Sequence, residues 1–365
     1  MEATATKEKN TTIDDFEKNV LEPHQKEINK SIDDFFEEQK VEFSGSPESH
    51  ESFEKIREFS LSPGKRVRSL LAIEGYKACG GNDIYAIKRL SVSFEILHNY
   101  LLVHDDIMDK DKLRRGKPTV QHGYELDLIK KNLETELIEH TGNSLAIIDG
   151  DILAALAQLP ILDSPFAYEL KEKVQREQIK TILNTGFGQK LDVLSTITMP
   201  SMEQLLYTHK LKTADYTVVN PLISGAILAG ASDEEITVLK EYGYNTGMAF
   251  QLKDDELGLS PESLNKDKND ISEGKNTLII IRAFDQLDIN DGNRLEQILK
   301  SRTKDKEQVK EALELINKTD ALAYNKRLYE EFANKACSMI NNSGFNYQTK
   351  EFFCNLTKYI VNRKK

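Results

Sequence analysis

The sequence of 365 residues is poor in several features, and each scarcity excludes a class of protein. Its three cysteines are scattered and show no CxxC spacing, so the sequence predicts neither a disulfide framework nor a zinc site. No apolar run approaches the roughly 20 residues that a membrane-spanning helix needs. The first residues lack the basic flank and the apolar core of a signal peptide. We therefore expect a cytoplasmic protein with no membrane span.

The usual loops for binding nucleotides are missing as well. Neither GxGxxG nor GxxxxGK[ST] occurs, so the phosphate-binding modes of α/β proteins have no support. Signatures of serine or cysteine nucleophiles are absent too. The net charge of −11 argues against general binding of nucleic acid, but it is compatible with a local basic pocket for small anions.

Proline and glycine are sparse, with 9 and 19 residues, and apolar residues recur at helical spacing along almost the whole chain. Because no alternating β-branched runs with hairpin turns occur, the sequence predicts an all-α fold. Residues 1–12 are polar and are predicted to be a disordered tail, followed by a single domain over 13–365. The segments 124–143 and 260–274 are predicted to be polar surface excursions. The predicted helices cover 13–40, 48–59, 64–79, 83–109, 144–160, 165–195, 202–230, 233–258, 275–287, 291–299, 305–316, 319–341 and 347–361.

Two aspartate pairs are the most informative feature that is present. Asp105 and Asp106 stand in LLVHDDIMDKDKLRRGKPT, and Asp254 and Asp255 stand in AFQLKDDELGL. Both pairs lie in apolar helical stretches, where ionised carboxylates need partners. Mg²⁺ is a natural partner, and it prefers one or two carboxylates together with substrate phosphates. The pairs therefore predict a metal site that binds a phosphorylated ligand.

Helix geometry sharpens the first motif. Asp105 and Asp109 are four residues apart and share one face, and His98 lies two turns earlier on the same side. Taken singly, each of these features has a plainer explanation, such as a core histidine or a solvated helix start. Together with nearby basic residues, whose side chains suit phosphate oxygens, they predict a diphosphate site. These basic residues are Lys65, Arg66, Arg68, Arg114 and Arg115.

Seven segments in order resemble the motifs of trans-isoprenyl diphosphate synthases. They are GKRVR, HNYLLVHDDIMDKDKLRRGKPT, DGD, GQKLD, HKLKTA, FQLKDDELG and DISEGKNT, and the resemblance covers residues 20–363. It is greatest to the archaeal-type, short-chain geranylgeranyl diphosphate synthases. The resemblance implies a single large helical bundle around a deep central cavity, usually as a homodimer. It also implies an Mg²⁺-dependent enzyme that condenses isopentenyl diphosphate with dimethylallyl, geranyl or farnesyl diphosphate to give geranylgeranyl diphosphate.

The resemblance further implies roles for individual residues. Asp105 and Asp109 would hold two Mg²⁺ ions and Asp254 a third, all bridging the allylic diphosphate, while Asp106 and Asp255 would orient water and outer contacts. The same diphosphate would be bound by Arg114, Lys212 and Lys266, with Lys268 as the alternative to Lys266. Isopentenyl diphosphate would be bound by Lys65, Arg68, His98 and Arg115. The reacting carbons would be lined by Thr213 and Gln251.

Product length is expected to depend on the helix face below the first aspartates. Tyr100 lies five residues before Asp105, about 7.5 Å along the helix axis, and its ring is placed to form the floor for the growing chain. Leu101 leaves more room. Within the family, aromatic residues at both positions suit a fifteen-carbon product, whereas one aromatic at the Tyr100 position suits twenty carbons. The sequence therefore favours geranylgeranyl diphosphate.

The sequence departs from the family pattern in three places. Gly258 stands where many relatives have a third aspartate, SPGKRVRS lacks the usual flanking residues, and 126–142 is longer than the usual connection.

Several other functions are alternatives. A farnesyl or longer polyprenyl diphosphate synthase would differ only in the depth of the cavity. A class I terpene cyclase should carry an Asn/Ser/Glu metal triad in place of DDELG. A noncatalytic regulatory subunit should have lost at least one motif, and none is lost.

Overall fold

The computed structural model describes residues 13–43, 45–131, 133–259, 269–301 and 305–364. Within these ranges the chain is almost entirely helical, which confirms the predicted all-α fold. The sole strands in the described part are Leu113–Arg114 (β1) and Lys117–Pro118 (β2), which pair antiparallel. The tail 1–12 and most of the predicted excursion 260–274 lie outside the described residues.

The helices of the first half of the chain begin near the predicted positions in most cases. They are α1 (Ile13–Phe16), a π-helical turn π1 (Glu17–Leu21), α2 (Glu22–Phe43), α3 (Pro47–Ser60), α4 (Val67–Ala78), α5 (Ile84–Met108), α6 (Val120–Ile129), α7 (Thr135–Leu156), α8 (Leu159–Leu162) and α9 (Tyr168–Ser195). The helices of the second half are α10 (Met202–His209), π2 (Lys210–Val219), α11 (Asn220–Leu228), α12 (Asp233–Gly258), α13 (Asp270–Glu273), α14 (Leu278–Phe284), α15 (Ile289–Lys300), α16 (Lys306–Asn317), α17 (Ala321–Asn341) and α18 (Tyr347–Asn362).

The chain forms two compact units. The amino-terminal unit comprises the described parts of 17–175 together with 224–230. The carboxy-terminal unit comprises the described parts of 1–16, 176–223 and 231–365. The single-domain organisation stays a prediction.

In the amino-terminal unit, α5 is the central helix and packs against α4 and α7. Its N-cap is Asp83, whose carboxylate accepts a hydrogen bond from the Ala86 amide at 3.0 Å. The side chains of Ile87, Leu90 and Leu153 are fully buried. Burial of such apolar side chains, at about 25 cal/mol per Å², is the main source of stability for this packing.

In the carboxy-terminal unit, α12 packs against α17, π2 and α18. It begins with a capping box in which Ser232 and Glu235 satisfy each other's backbone amides. Its buried Tyr242 donates a hydrogen bond of 2.9 Å from the hydroxyl to the carbonyl oxygen of Phe353 on α18. This packing fixes the helix that carries the second aspartate pair.

The predicted excursion 124–143 is wrong, because most of it is helical. It contains the second half of α6 and the start of α7. The segment is rich in polar residues, and its apolar face consists of few side chains. Two of these, Tyr124 and Ile138, are buried and each 8% exposed. The predicted helix 202–230 is likewise divided, because π2 separates α10 from α11.

One helical stretch differs from the hydropathy expectation. Thr135–Leu162, which spans α7 and α8, is long and apolar enough to cross a membrane by length and composition. The buried core helix of a soluble protein has the same length and composition, so this one stretch does not establish a membrane span. It contains Asp149, a buried carboxylate that accepts a hydrogen bond of 2.8 Å from the Tyr124 hydroxyl.

Candidate active site

The first aspartate motif lies at the carboxyl end of α5. The amide of Asp109 donates a hydrogen bond of 2.8 Å to the carbonyl oxygen of Asp105, so the two residues keep the predicted spacing of one helical turn. Asp106 points to the interior and is fully buried. The motif therefore has one interior carboxylate and two that share a different face of the helix.

Asp106 is held by the arginine that follows the helix. Arg114 donates from Nε at 2.6 Å to Oδ1 of Asp106, and its Nη2 lies 2.5 Å from the same oxygen. Nη2 is also 3.9 Å from Oδ2 of Asp105. Burial raises the pKa of Asp106 to about 6, although Arg114 acts in the opposite direction. Oδ2 of Asp106 accepts no hydrogen bond from the described residues.

The predicted basic residues of the amino-terminal unit come together around His98. Burial lowers the pKa of His98 well below its usual range, and the charges of Arg68, Arg115, Arg114 and Arg66 lower it further. The imidazole is therefore neutral. The pKa of Arg115 falls to about 10, first through burial and then through the neighbouring arginines. Such crowding of like charges is typical of a site that binds an anion.

The loop that carries Lys65 approaches the same cluster. A Cβ on Gly64 would lie 2.7 Å from Nη1 of Arg115, so the guanidinium rests directly against the glycine. The adjacent Arg66 has a structural role. It is 3% exposed and donates to Oδ1 of Asn29 at 2.7 Å, and also to the carbonyl oxygens of Ser60 and Ser62.

The second aspartate pair lies at the end of α12, in the carboxy-terminal unit. Asp255 is 4% exposed, and its Oδ1 accepts a hydrogen bond of 2.8 Å from Nε2 of Gln251. Oε1 of Gln251 in turn accepts from Oγ1 of Thr213 at 2.8 Å. Burial, with the Asp254 charge as a smaller cause, raises the pKa of Asp255 to about 7. The structure thus connects two predicted residues, Thr213 and Gln251, to the aspartate pair.

Lys212 and Thr213 lie in π2, the wide turn between α10 and α11. Irregular π-helical turns of this kind are frequent at functional sites. Nζ of Lys212 lies 2.5 Å from Oδ2 of Asp192 on α9. A Cβ on Gly188 would be 2.6 Å from the Lys212 nitrogen, so only glycine allows this approach. The GQKLD segment thus contributes a glycine contact and an ion pair, and Asp192 is a residue that the sequence analysis did not assign.

Arg363 is the second residue that the sequence analysis missed. Its Nη2 lies 2.5 Å from Oδ1 of Asp254, and its guanidinium carbon is 4.1 Å from the centre of the Phe250 ring. Arg363 stands more than a hundred residues after Asp254, and no motif signals the contact. Lys266 and Lys268, the alternative diphosphate ligands, lie outside the described residues.

Tyr100 contacts the histidine one turn later on α5. The ring centres of Tyr100 and His104 are 5.1 Å apart with an edge-to-face arrangement. Nε2 of His104 is 3.2 Å from the carbonyl oxygen of Ile147, and a Cβ on Gly150 would be 2.3 Å from the same nitrogen. Helix α7 therefore fixes the imidazole against which the Tyr100 ring packs. Leu101 is half-buried.

The aspartates fit Mg²⁺ together with a phosphorylated ligand. Among the described residues, no group of three or more His, Cys, Asp or Glu side chains could hold a metal ion alone. Mg²⁺ does not need such a cage, because substrate phosphates and water complete its coordination. Oδ2 of Asp106 and Oδ2 of Asp255 are buried oxygens that accept no hydrogen bond within the described part of the chain.

Comparisons with known proteins agree with this fold and these motifs. Residues 50–316 match the sequence model of the family described as polyprenyl synthetase. The short chain isoprenyl diphosphate synthase of Methanocaldococcus jannaschii is 31% identical over 307 residues, which cover 82% of this chain and 83% of that protein. The geranylgeranyl diphosphate synthase of Saccharolobus solfataricus is 29% identical over 316 residues, which cover 83% and 87%.

A solved structure extends the likeness to three dimensions. The geranylgeranyl pyrophosphate synthase of Corynebacterium glutamicum, in complex with isoprenyl diphosphate and magnesium, superposes with a TM-score of 0.88 at 26% identity. The superposition covers 94% of this chain and 99% of that one. The fold and the motifs define an all-α isoprenoid synthase-like protein. The chain belongs to the polyprenyl synthetase family, which confirms the resemblance to trans-isoprenyl diphosphate synthases.

Proposed function

We propose that this protein is an Mg²⁺-dependent prenyltransferase of the geranylgeranyl diphosphate synthase type. It condenses isopentenyl diphosphate with an allylic diphosphate, which is dimethylallyl, geranyl or farnesyl diphosphate. The observation that carries this proposal is the arrangement at the end of α5, where Asp105 and Asp109 share a face beside Arg114. The names of the similar proteins support the same reaction.

In the proposed reaction, the allylic carbon–oxygen bond breaks and its electron pair leaves with the diphosphate. The π-electrons of isopentenyl diphosphate then form the new carbon–carbon bond to the resulting cation, and the departing diphosphate accepts the proton that is lost. Asp105, Asp109 and Asp254 would hold Mg²⁺, three ions in all, which would supply positive charge to the leaving diphosphate. Arg114 and Lys212 add charge-assisted hydrogen bonds to the same group, with Lys266 or Lys268 as a further donor.

The second diphosphate is assigned to the cluster around His98. Burial first, and then the neighbouring arginines, lower the pKa of Arg115, and an anion bound there would relieve the repulsion among these arginines. His98, which is neutral, can donate one hydrogen bond to that anion without adding charge. We assign isopentenyl diphosphate to Lys65, Arg68, His98 and Arg115. A terpene cyclase has no need of such a second site.

Thr213 and Gln251 are proposed to face the reacting carbons. Their side chains are joined by a hydrogen bond of 2.8 Å, and Gln251 is joined to buried Asp255. These hydrogen bonds hold the side-chain oxygens in place, and the oxygen dipoles can stabilise a developing cation without attacking it.

Tyr100 forms the floor of the product site, which favours a product of twenty carbons over one of fifteen.

We further propose that the protein acts as a cytoplasmic homodimer. Helix α9 exposes apolar side chains at intervals of four residues, with Ile179, Leu183 and Phe187 being 53%, 55% and 60% exposed. A helix with such a stripe gains stability by burying it against a second copy. Phe187→Glu should therefore shift the mass in light scattering from dimer to monomer, whereas Lys180→Glu, a control on the neighbouring surface, should leave it unchanged.

Release of inorganic diphosphate tests the reaction and separates it from the alternatives. The proposal predicts release from farnesyl diphosphate only when isopentenyl diphosphate and Mg²⁺ are both present. A terpene cyclase would release diphosphate from the allylic substrate alone. A noncatalytic regulatory subunit would release none under either condition, and either of these results would overturn the proposal.

A further inference from the structure

The carboxylate of Asp270 lies against the backbone of Gly258. A Cβ built on Gly258 would be 2.1 Å from Oδ2 of Asp270 and 3.0 Å from Oδ1. A side chain at position 258 would have to displace the Asp270 carboxylate, so glycine at this position is what lets the carboxylate lie against α12. This relationship bears directly on the missing third aspartate of DDELG.

Position 258 has a defined place on α12. It follows Asp254 by four residues and therefore lies on the same face, one turn later. Asp109 has the same relationship to Asp105 on α5. A carboxylate at position 258 would complete an equivalent pair, and the Asp270 carboxylate lies where that side chain would begin. The second motif thus has a carboxylate next to position 258, although this carboxylate belongs to Asp270 on α13 and not to α12.

The surroundings of Asp270 are electrostatically suited to a cation. The negative charges of Asp255, Glu273 and Asp254 act on its carboxylate, and Lys275 acts in the opposite direction. Asp255 is 4% exposed, and its Oδ2 accepts no hydrogen bond from the described residues, although Nε2 of His209 lies 3.9 Å away. Neighbouring carboxylates repel one another, and a bound cation would relieve the part of this repulsion that Arg363 and Lys275 leave.

Local structure holds Asp270 in place. Asn269 caps the short helix α13 by accepting a hydrogen bond of 3.0 Å from the Ser272 amide. Gly274, with φ of 70°, ends the helix, and its amide donates to the Ile271 carbonyl oxygen at 3.0 Å. The side chain of Ile271 is fully buried. Capping at both ends and this apolar anchor fix the first residue of α13 over α12.

We propose that Asp270 supplies the carboxylate that Gly258 lacks and, with Asp254, binds Mg²⁺ at the second aspartate motif. The inference rests on the proposed function, because it takes Asp254 to be a metal ligand. It assigns to Asp270 a direct role in metal binding rather than only a structural one.

Exchange of the two positions tests this inference. Asp270→Asn removes the carboxylate. Gly258→Asp combined with Asp270→Ala, which clears the space beside position 258, returns a carboxylate on α12 itself. Asp285→Asn is the matched control, because it makes the same change at an exposed carboxylate of the same unit. The readout is the binding of Mn²⁺ to the full chain in the presence of inorganic diphosphate, followed by electron paramagnetic resonance.

We expect Asp270→Asn to weaken Mn²⁺ binding by about tenfold or more, the scale seen when groups around a metal are removed. Asp285→Asn should change it by less than about twofold, and the double variant should recover most of the loss. Equal titrations for Asp270→Asn and Asp285→Asn would overturn the inference. The proposed function is tested separately by product formation in the wild-type protein. A wild-type protein that forms prenyl product while Asp270→Asn binds Mn²⁺ normally refutes only the inference.

Discussion

Arg363 forms an ion pair with Asp254, with Nη2 of the arginine 2.5 Å from Oδ1 of the carboxylate. The arginine is well buried against Phe250, whereas the aspartate is 42% exposed. A cation supplied by the chain itself therefore stands at the carboxylate that is assigned to Mg²⁺. Metal binding at Asp254 must compete with this internal cation or rearrange it.

Removing Arg363 should accordingly ease the binding of metal. Arg363→Gln is expected to lower the Mg²⁺ concentration needed for half-maximal activity by about 1.5- to fivefold, the effect of a partly exposed ion pair worth about 0.2–1 kcal/mol. Lys364→Gln is the control, since it removes the same charge from the next residue. A higher Mg²⁺ requirement in Arg363→Gln than in Lys364→Gln would contradict this expectation.

Tyr100 should set the length of the product. Tyr100→Ala is expected to give products longer than twenty carbons, because it removes the ring that packs edge-to-face on His104. Tyr100→Phe keeps the ring and should keep the wild-type distribution. Chromatography of the extracted prenyl alcohols measures the distribution, which does not depend on the fraction of active enzyme. If Tyr100→Ala and Tyr100→Phe give the same products, Tyr100 is not the floor.

The buried aspartates predict how stability depends on pH without metal. Burial raises the pKa of Asp255 to about 7, compared with about 3.9 in an unfolded chain. The folded state thus holds a proton that the unfolded chain releases. Its stabilising contribution is complete below about pH 4 and is lost as the pH rises to about 7. Asp255→Asn should remove this dependence.

The comparison is made by urea unfolding in the presence of EDTA at about pH 5 and about pH 8, on either side of the raised pKa. The wild-type protein should lose stability relative to Asp255→Asn at the higher pH. A constant difference between the two proteins at both pH values would contradict the raised pKa.

The Arg114–Asp106 pair should matter for folding as well as for substrate binding. Arg114→Gln leaves the fully buried Asp106 without its main partner, and we expect a loss of about 3 kcal/mol in the free energy of unfolding. Asp106→Asn combined with Arg114→Gln should recover much of that loss but not activity. Urea denaturation measures the cycle, and equal stabilities for the single and double variants would contradict the assigned pairing.

The sequence was sufficient to predict the elements that have strong periodicity. Helices α5 and α12 are long, capped and apolar on their packed faces, so their positions followed from local information. The prediction for 124–143 was wrong because this segment is rich in polar residues, and the few apolar side chains of its buried face, including Tyr124, give little periodic signal. The π-helical turn π2 was not predicted, because π- and α-helices differ only in which carbonyl oxygen accepts the hydrogen bond from each backbone amide.

The candidate site was predictable where it consists of neighbours along the chain. Asp105, Asp109 and Arg114 lie within ten residues. Helix geometry indicated that Asp105 and Asp109 share a face, and the position of Arg114 just after the helix, with the family resemblance, placed it beside them. The contacts of Asp254 with Arg363 and of Gly258 with Asp270 depend on tertiary packing. Neither leaves a periodic or motif signal, so only the structure could reveal them.

The most direct test of the account is the size of the product made by the purified protein. It should be incubated with Mg²⁺, farnesyl diphosphate and labelled isopentenyl diphosphate, with Asp105→Ala in parallel. The account predicts a twenty-carbon prenyl diphosphate from the wild-type protein and none from the variant. No prenyl product from any allylic primer, or an equal yield from Asp105→Ala, would contradict it.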